Sequence, residues 1–220
     1  MIMLVLSCDK NEDLFDPFRH CVEKYYPNHP EIIYAMETKQ NPYYKTICKD
    51  YPLEQWSRRI RETLKEIDDE QILMIMDDYF IRQPVDTKRI EYLSTQLKDN
   101  IACFCFEKCY DEKDEETNIK GMKKRQHGAE YEVSINCGLW DKNKLIEVLR
   151  GDHNPWDIEF RSDNCGYDFY INSEDYIIDW GYITWNPVGI FRGKWAKELV
   201  PFFEKEGIIV DYEKRGFYED

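Results

Sequence analysis

The sequence predicts an α/β fold on a doubly wound, mainly parallel central sheet, with flanking helices and a small C-terminal strand-and-helix region. Two observations carry this. Four short runs, IMLVLSC (2–8), EIIYAME (31–37), QILMIM (71–76) and IACFCFE (101–107), are apolar nearly throughout rather than alternating, as strands covered on both faces are. Between them lie stretches whose apolar residues recur at helical spacing, and a βαβαβαβ order feeds a parallel sheet.

Each element has its own signal. After the first run, DKNED is a loop, and Asp13 is placed to cap a helix over 14–26 with Leu14, Phe18, Cys21, Val22 and Tyr25 on one stripe; Pro27 and Pro30 stop it. NPYYKTICKDYP reads as an aromatic loop. A helix over 53–68 carries Leu53, Trp56, Ile60, Leu64 and Ile67 on one side, and 85–99 is helical. The charged stretch 108–130 has loop composition and reads as a solvated insertion, a lid or an acceptor loop. VSINCGLW (133–140) is a strand followed by a helix, 167–190 holds short strands, and 195–207 is a helix bent near Pro201.

Length and charge narrow the possibilities. A chain of 220 residues makes one domain able to bury a core without staples. The formal charge of −14 repels a polyanion, so no nucleic-acid partner is expected. The eight cysteines contain no CxxC pair; Cys103, Cys105 and Cys109 could offer three zinc ligands, but no fourth shows the usual spacing. Reduced thiols, no secretory signal and no long apolar run point to a cytoplasmic protein with at most peripheral membrane association. The oligomeric state is open.

In such a sheet, ligands bind beyond the C-terminal strand ends. ILMIMDDYF places Asp77 and Asp78 at such an end, where they fit a Mg²⁺ or Mn²⁺ ion beside a diphosphate or, alternatively, an ordinary strand-end turn. The loops after the first two strands bring Ser7, Cys8, Asp9 and Lys10 beside Glu37 and Thr38, a setting for a base or ribose or plain loop polarity. Trp56 and Arg59, on one helix face, can meet a nucleotide or diphosphate, or serve as core and solvated charge. In GIFRGKW, Arg192 and Lys194 flank Gly193 as a basic cluster for a diphosphate, or form a basic turn. In GDHNPWDIEF, Asp157 and Glu159 are candidate bases beside Trp156, although on the residues alone Asn154 before Pro155 reads better as a helix cap with surface acids.

Taken in order, LSCDKNEDLFDPF, IIYAMET, QWSRRIRETLKEI, ILMIMDDYF, VSINCGLWDKNKLIEVL, NPWDIE and RGKW resemble a family of bacterial glycosyltransferases of capsular and lipopolysaccharide assembly, similar in organisation to GT-A-fold enzymes. The resemblance implies a nucleotide-sugar donor, with UDP the favoured nucleotide, a glycan or lipid-linked glycan acceptor, and inversion at the anomeric carbon. It implies a metal role for Asp77 and Asp78 and a general-base role for Glu159. It also implies a nucleotide-sugar-binding half (1–107) and an acceptor and catalytic half (131–220). The chain departs from the pattern in having Asp-Asp-Tyr rather than Asp-x-Asp. No histidine follows His153 to complete a C-terminal metal set. A nucleotidyltransferase, a nucleotide-sugar hydrolase and a non-catalytic carbohydrate-binding or scaffold protein are the alternatives; the absence of glycine from SCDKNED disfavours the first.

Overall fold

The structure is a computed structural model that describes residues 1–108, 111–160, 165–181 and 189–219. Cys109 of the zinc trio and residues 182–188 of the expected short strands lie outside the described residues.

In chain order the elements are β1 (Ile2–Leu6), α1 (Phe15–Tyr25), β2 (Ile32–Met36), β3 (Lys45–Cys48), α2 (Trp56–Leu64), β4 (Gln71–Met76), α3 (Thr87–Gln96) and β5 (Ile101–Cys105). Then follow β6 (Glu115–Glu116), β7 (Met122–Lys124), β8 (Gly138–Asp141), α4 (Lys142–Val148), α5 (Pro155–Phe160), β9 (Asp168–Asn172), β10 (Ile190–Phe191), β11 (Lys194–Trp195) and α6 (Val200–Glu206). Among the described residues the main sheet has nine strands in the order β3-β2-β1-β4-β8-β5-β9-β7-β6. Strands β1 to β4 pair in parallel, and β5 pairs β9 in parallel.

The four apolar runs form β1, β2, β4 and β5 within two residues of the expected bounds. The sheet differs from a simple parallel winding at one place. β8 inserts between β4 and β5 and runs antiparallel to both. Gly138 permits this close approach, since a Cβ there would lie 2.8 Å from the Phe104 carbonyl oxygen. Of the run 133–140, only its last three residues join a strand. The aromatic loop contains the edge strand β3, and the charged stretch contains the hairpin β6–β7, which extends the far edge of the sheet. Asp13 does not cap α1; Arg215 holds its carboxylate instead.

Alternation along the buried strands divides the core in two. Met3 and Val5 face α1, α3 and α6 through Phe18, Leu93 and Phe203. Ile2, Leu4 and Leu6 face α2, α4 and α5 through Ile60, Leu145 and Ile158. Each such side chain contributes about 1.5–3 kcal/mol when fully buried. Trp195 is fully buried, with Phe203 and Tyr212 edge-on at 5.8 and 5.9 Å. Its main chain anchors the C-terminal segment, donating to Gly216 O (3.0 Å) and accepting from Tyr218 N–H (2.9 Å). Trp195→Ala should cost about 3–5 kcal/mol, read as a lower urea midpoint. An unchanged midpoint would show that this packing contributes nothing. No helix among the described residues is long and apolar enough to cross a membrane.

Candidate active site

The C-terminal ends of β1, β2 and β4 open into a cleft of about 1180 Å³. Its floor is the carboxylate pair. β4 is an apolar strand that ends where the backbone turns, which leaves Asp77 and Asp78 at the mouth. Asp77 is buried, and both of its oxygens are engaged: Ser7 Oγ donates to one at 2.6 Å and Asn11 Nδ2 to the other at 3.2 Å. Asp78 accepts from Ile190 N–H at 2.9 Å. Burial pushes both carboxyls above the usual range, and the neighbouring Asp78 charge raises Asp77 further.

A hairpin covers one side. Its two-residue turn is Arg192-Gly193, both at positive φ (51° and 79°), a conformation that matches the twist of the flanking strands. Gly189 lies so close to Asp78 that a Cβ would sit 2.4 Å from the Asp78 carbonyl. Arg192 lines the cleft, whereas Lys194 is exposed and is not among the lining residues.

The loops after β1 and β2 bind each other tightly. Asp9 accepts from Thr38 Oγ1 (2.5 Å), Thr38 N–H (3.1 Å) and Lys39 N–H (2.9 Å), so its carboxylate is a strut between the loops. Asp9 N–H donates to Glu37 Oε2 at 2.7 Å, and Glu37 pairs with Arg59 at 2.8 Å. Ser7, Cys8, Lys10, Glu37, Trp56 and Arg59 line the cleft; Asp9 and Thr38 do not. Arg58 and Arg61, neighbours of Arg59 in sequence, instead hold the segment before α5 through Asp152 and the carbonyls of Leu149 and Gly151.

The opposite rim is α5. Asn154 Oδ1 accepts Asp157 N–H at 2.9 Å, so the cap reading of this segment holds. Trp156 lines the cleft and is 58% exposed; Asp157 points to solvent away from it. Glu159 is not itself among the lining residues; it accepts from Ile135 N–H at 3.3 Å, next to Asn136, which lines the cleft. Burial pushes the Glu159 carboxyl up to about 7, with the Glu107 charge adding to it. An acid whose folded pKa is raised keeps a proton that the unfolded chain sheds, so stability falls as pH rises between about 4.5 and 7. Glu159→Gln should therefore melt higher than the wild type at pH 8 and level with it at pH 4. Equal melting at both values would place Glu159 in water.

Sequence reasoning passed over several lining groups. Tyr79 donates to Asn136 Oδ1 at 2.8 Å and stacks on Trp180 at 4.7 Å. Phe191 and Tyr218 meet edge-on at 4.6 Å on the hairpin side. Tyr79 and Phe191 sit inside the DDYF and GIFRGKW motifs, and the signal for Tyr218 was the aromatic tail RGFY after the last helix. Among the described residues no group of three His, Cys, Asp or Glu is arranged to hold a metal ion. The donor set for a cation is thus the Asp77–Asp78 pair, which fits Mg²⁺ or Mn²⁺ only if substrate phosphates supply further ligands.

No model of a known protein family matches the chain, and no curated protein matches it. Solved structures do. TarS from S. aureus matches with a TM-score of 0.50 at 10% identity, over 80% of this chain and 36% of that one. The bifunctional IspDF from Campylobacter jejuni matches with a TM-score of 0.47 at 12% identity, over 80% and 50%. A nucleotidyl transferase from Methanothermobacter thermautotroptrophicus matches with a TM-score of 0.45 at 12% identity, over 79% and 88%. This chain thus spans half or less of the length of the first two. A galactosyltransferase also stands among the neighbours. The fold is α/β and GT-A-like, a mostly parallel sheet flanked by helices.

Proposed function

We propose that the protein transfers a sugar from a nucleotide-sugar donor, with UDP the favoured nucleotide, to a glycan or lipid-linked glycan acceptor. The observation that carries this reading is the Asp77–Asp78 pair at the floor of a cleft with room for both substrates, beside a β1 loop two of whose amides are already committed. A triphosphate-binding loop needs free N–H groups turned toward the anion. Here Asp9 N–H is taken by Glu37 and Asn11 N–H by the Cys8 carbonyl. That is the reason to prefer sugar transfer over nucleotidyl transfer.

In this reading the first half of the chain (1–107) receives the nucleotide and the second (131–220) the acceptor. Ser7, Cys8, Lys10 and Glu37 border the nucleoside, Trp56 and Arg59 wall that end, and Arg192 faces the diphosphate. A divalent ion, when bound, would neutralise the diphosphate, and Asp77 and Asp78 are the residues to hold it. Glu159 takes the proton of the attacking hydroxyl. That oxygen bonds to the anomeric carbon as the bond to the diphosphate breaks, and the diphosphate leaves with the electron pair. Trp156 offers an apolar face to a sugar ring on the acceptor side.

The test is a hydrolysis screen of UDP-, GDP-, CMP- and TDP-sugars with and without Mn²⁺, alongside nucleoside triphosphates with sugar phosphates. Release of free sugar from one nucleotide sugar is expected. Pyrophosphate release from a triphosphate, with no sugar release, would overturn the reading in favour of nucleotidyl transfer.

A further inference from the structure

Beyond α6 the chain returns to the cleft, and residues 215–218 make its closing contacts. Tyr218 reaches the cleft wall, and Phe217 pairs with Trp195. Three residues before Tyr218, the Arg215 guanidinium is almost fully enclosed, with its side chain 9% exposed. Its donors are spread over three partners. Nε and Nη2 bind the two oxygens of Asp13 at 2.8 and 2.5 Å, and Nη2 also meets Lys10 O at 2.8 Å and Asn11 Oδ1 at 3.0 Å. The face of Trp195 lies 6.0 Å from the guanidinium carbon.

The contact to Asn11 matters most. A primary amide has one accepting end and one donating end. Arg215 can only donate, so it takes the oxygen end and leaves Nδ2 directed at Asp77 Oδ1. The reverse orientation would set an NH₂ against a guanidinium and an oxygen against a carboxylate. With Ser7 on the other oxygen, the Asp77 carboxylate is held from both sides.

We propose that Arg215 is a positioning residue for the carboxylate pair: it docks the C-terminal segment on the β1 loop and fixes the Asn11 amide that orients Asp77. The proposal rests on the reading of Asp77 and Asp78 as the donor-diphosphate site. Docking of the tail and completion of the cleft are then one event, since the backbone that places Arg215 also carries Tyr218 to the wall. Only a planar fork bridges Asp13, the Lys10 carbonyl and Asn11 together; a lysine ammonium serves them as a single point.

Two measurements test it. In the ligand-free protein, the Asn11 side-chain amide protons, followed by ¹H–¹⁵N NMR, should exchange with solvent slowly, and Arg215→Met should speed that exchange by roughly 10-fold or more. In donor hydrolysis, Arg215→Met and Asn11→Ala should each lower kcat by roughly 10- to 100-fold, with donor KM changing far less. The double variant should lose no more than the worse single one, because the two residues act in series. Arg215→Lys, which retains the charge, should recover part of the rate. Losses that multiply in the double variant, or an Asn11 amide indifferent to Arg215→Met, would overturn the proposal. If the wild type hydrolyses no nucleotide sugar, the donor-site reading falls, and the amide exchange alone decides whether Arg215 orients Asn11.

Discussion

Replacing Glu159 by glutamine should lower sugar transfer by roughly 10²–10⁴-fold and barely change donor affinity. The substitution keeps the shape of the side chain and removes its ability to accept a proton. Glu159 is suited to the task because burial raises its carboxyl to about 7, so near neutral pH it is both ionised in part and basic enough to work. Its rival, Asp157, is exposed. The measurement is transfer to acceptor over a pH series, with donor binding followed separately. The wild-type rate should rise as pH passes through about 7 and level off above it. If Glu159→Gln transfers normally while Asp157→Asn does not, the base is Asp157. If neither matters, another group takes the proton.

Asp78→Ala should weaken donor binding and lower turnover by roughly 10²–10³-fold, the cost of removing one preorganised charge-stabilising group. Asp77→Ala tests a different property of the same floor. It leaves Ser7 Oγ and Asn11 Nδ2 without their acceptor, and an orphaned buried donor costs about 1–3 kcal/mol. Asp77→Ala, which orphans two side-chain donors, should melt lower than Asp78→Ala, which orphans the Ile190 N–H alone. Calorimetry with a nucleotide sugar, with and without Mn²⁺, measures the binding. Full activity and a full Mn²⁺ response in Asp78→Ala would end its assignment, and a wild type indifferent to metal would shift the diphosphate's neutralisation to Arg192.

How much of this was legible in the sequence depends on the range of the interaction concerned. The strands β1, β2, β4 and β5 announce themselves because burial on both faces demands an unbroken apolar run. The position of Asp77 and Asp78 follows from the same fact, since a run that ends in two acids must end where the strand leaves the core. β3 was hidden: KTIC is a four-residue edge strand with one buried side chain, too short to show a period. The insertion of β8 was hidden as well, because strand order is decided by tertiary pairing that GLWD alone does not encode. Asp9 read as a ligand contact because a loop acid looks the same whether it faces a substrate or two backbone amides. Arg215 and Asn11 are 204 residues apart, and no local pattern connects them.

The antiparallel strand at the centre of the sheet has a consequence for how the chain is made. While residues 1–107 emerge, β4 and β5 are complete but cannot pair with each other, since the strand that belongs between them is still to come. Both then present unpaired edges of apolar sequence, the kind of surface that draws in other chains. Only when Gly138–Asp141 appears can the two sides close into one sheet. The half proposed to receive the nucleotide is therefore not a folding unit of its own. Residues 1–107 expressed alone should aggregate, and adding residues 108–220 in trans during refolding should rescue them.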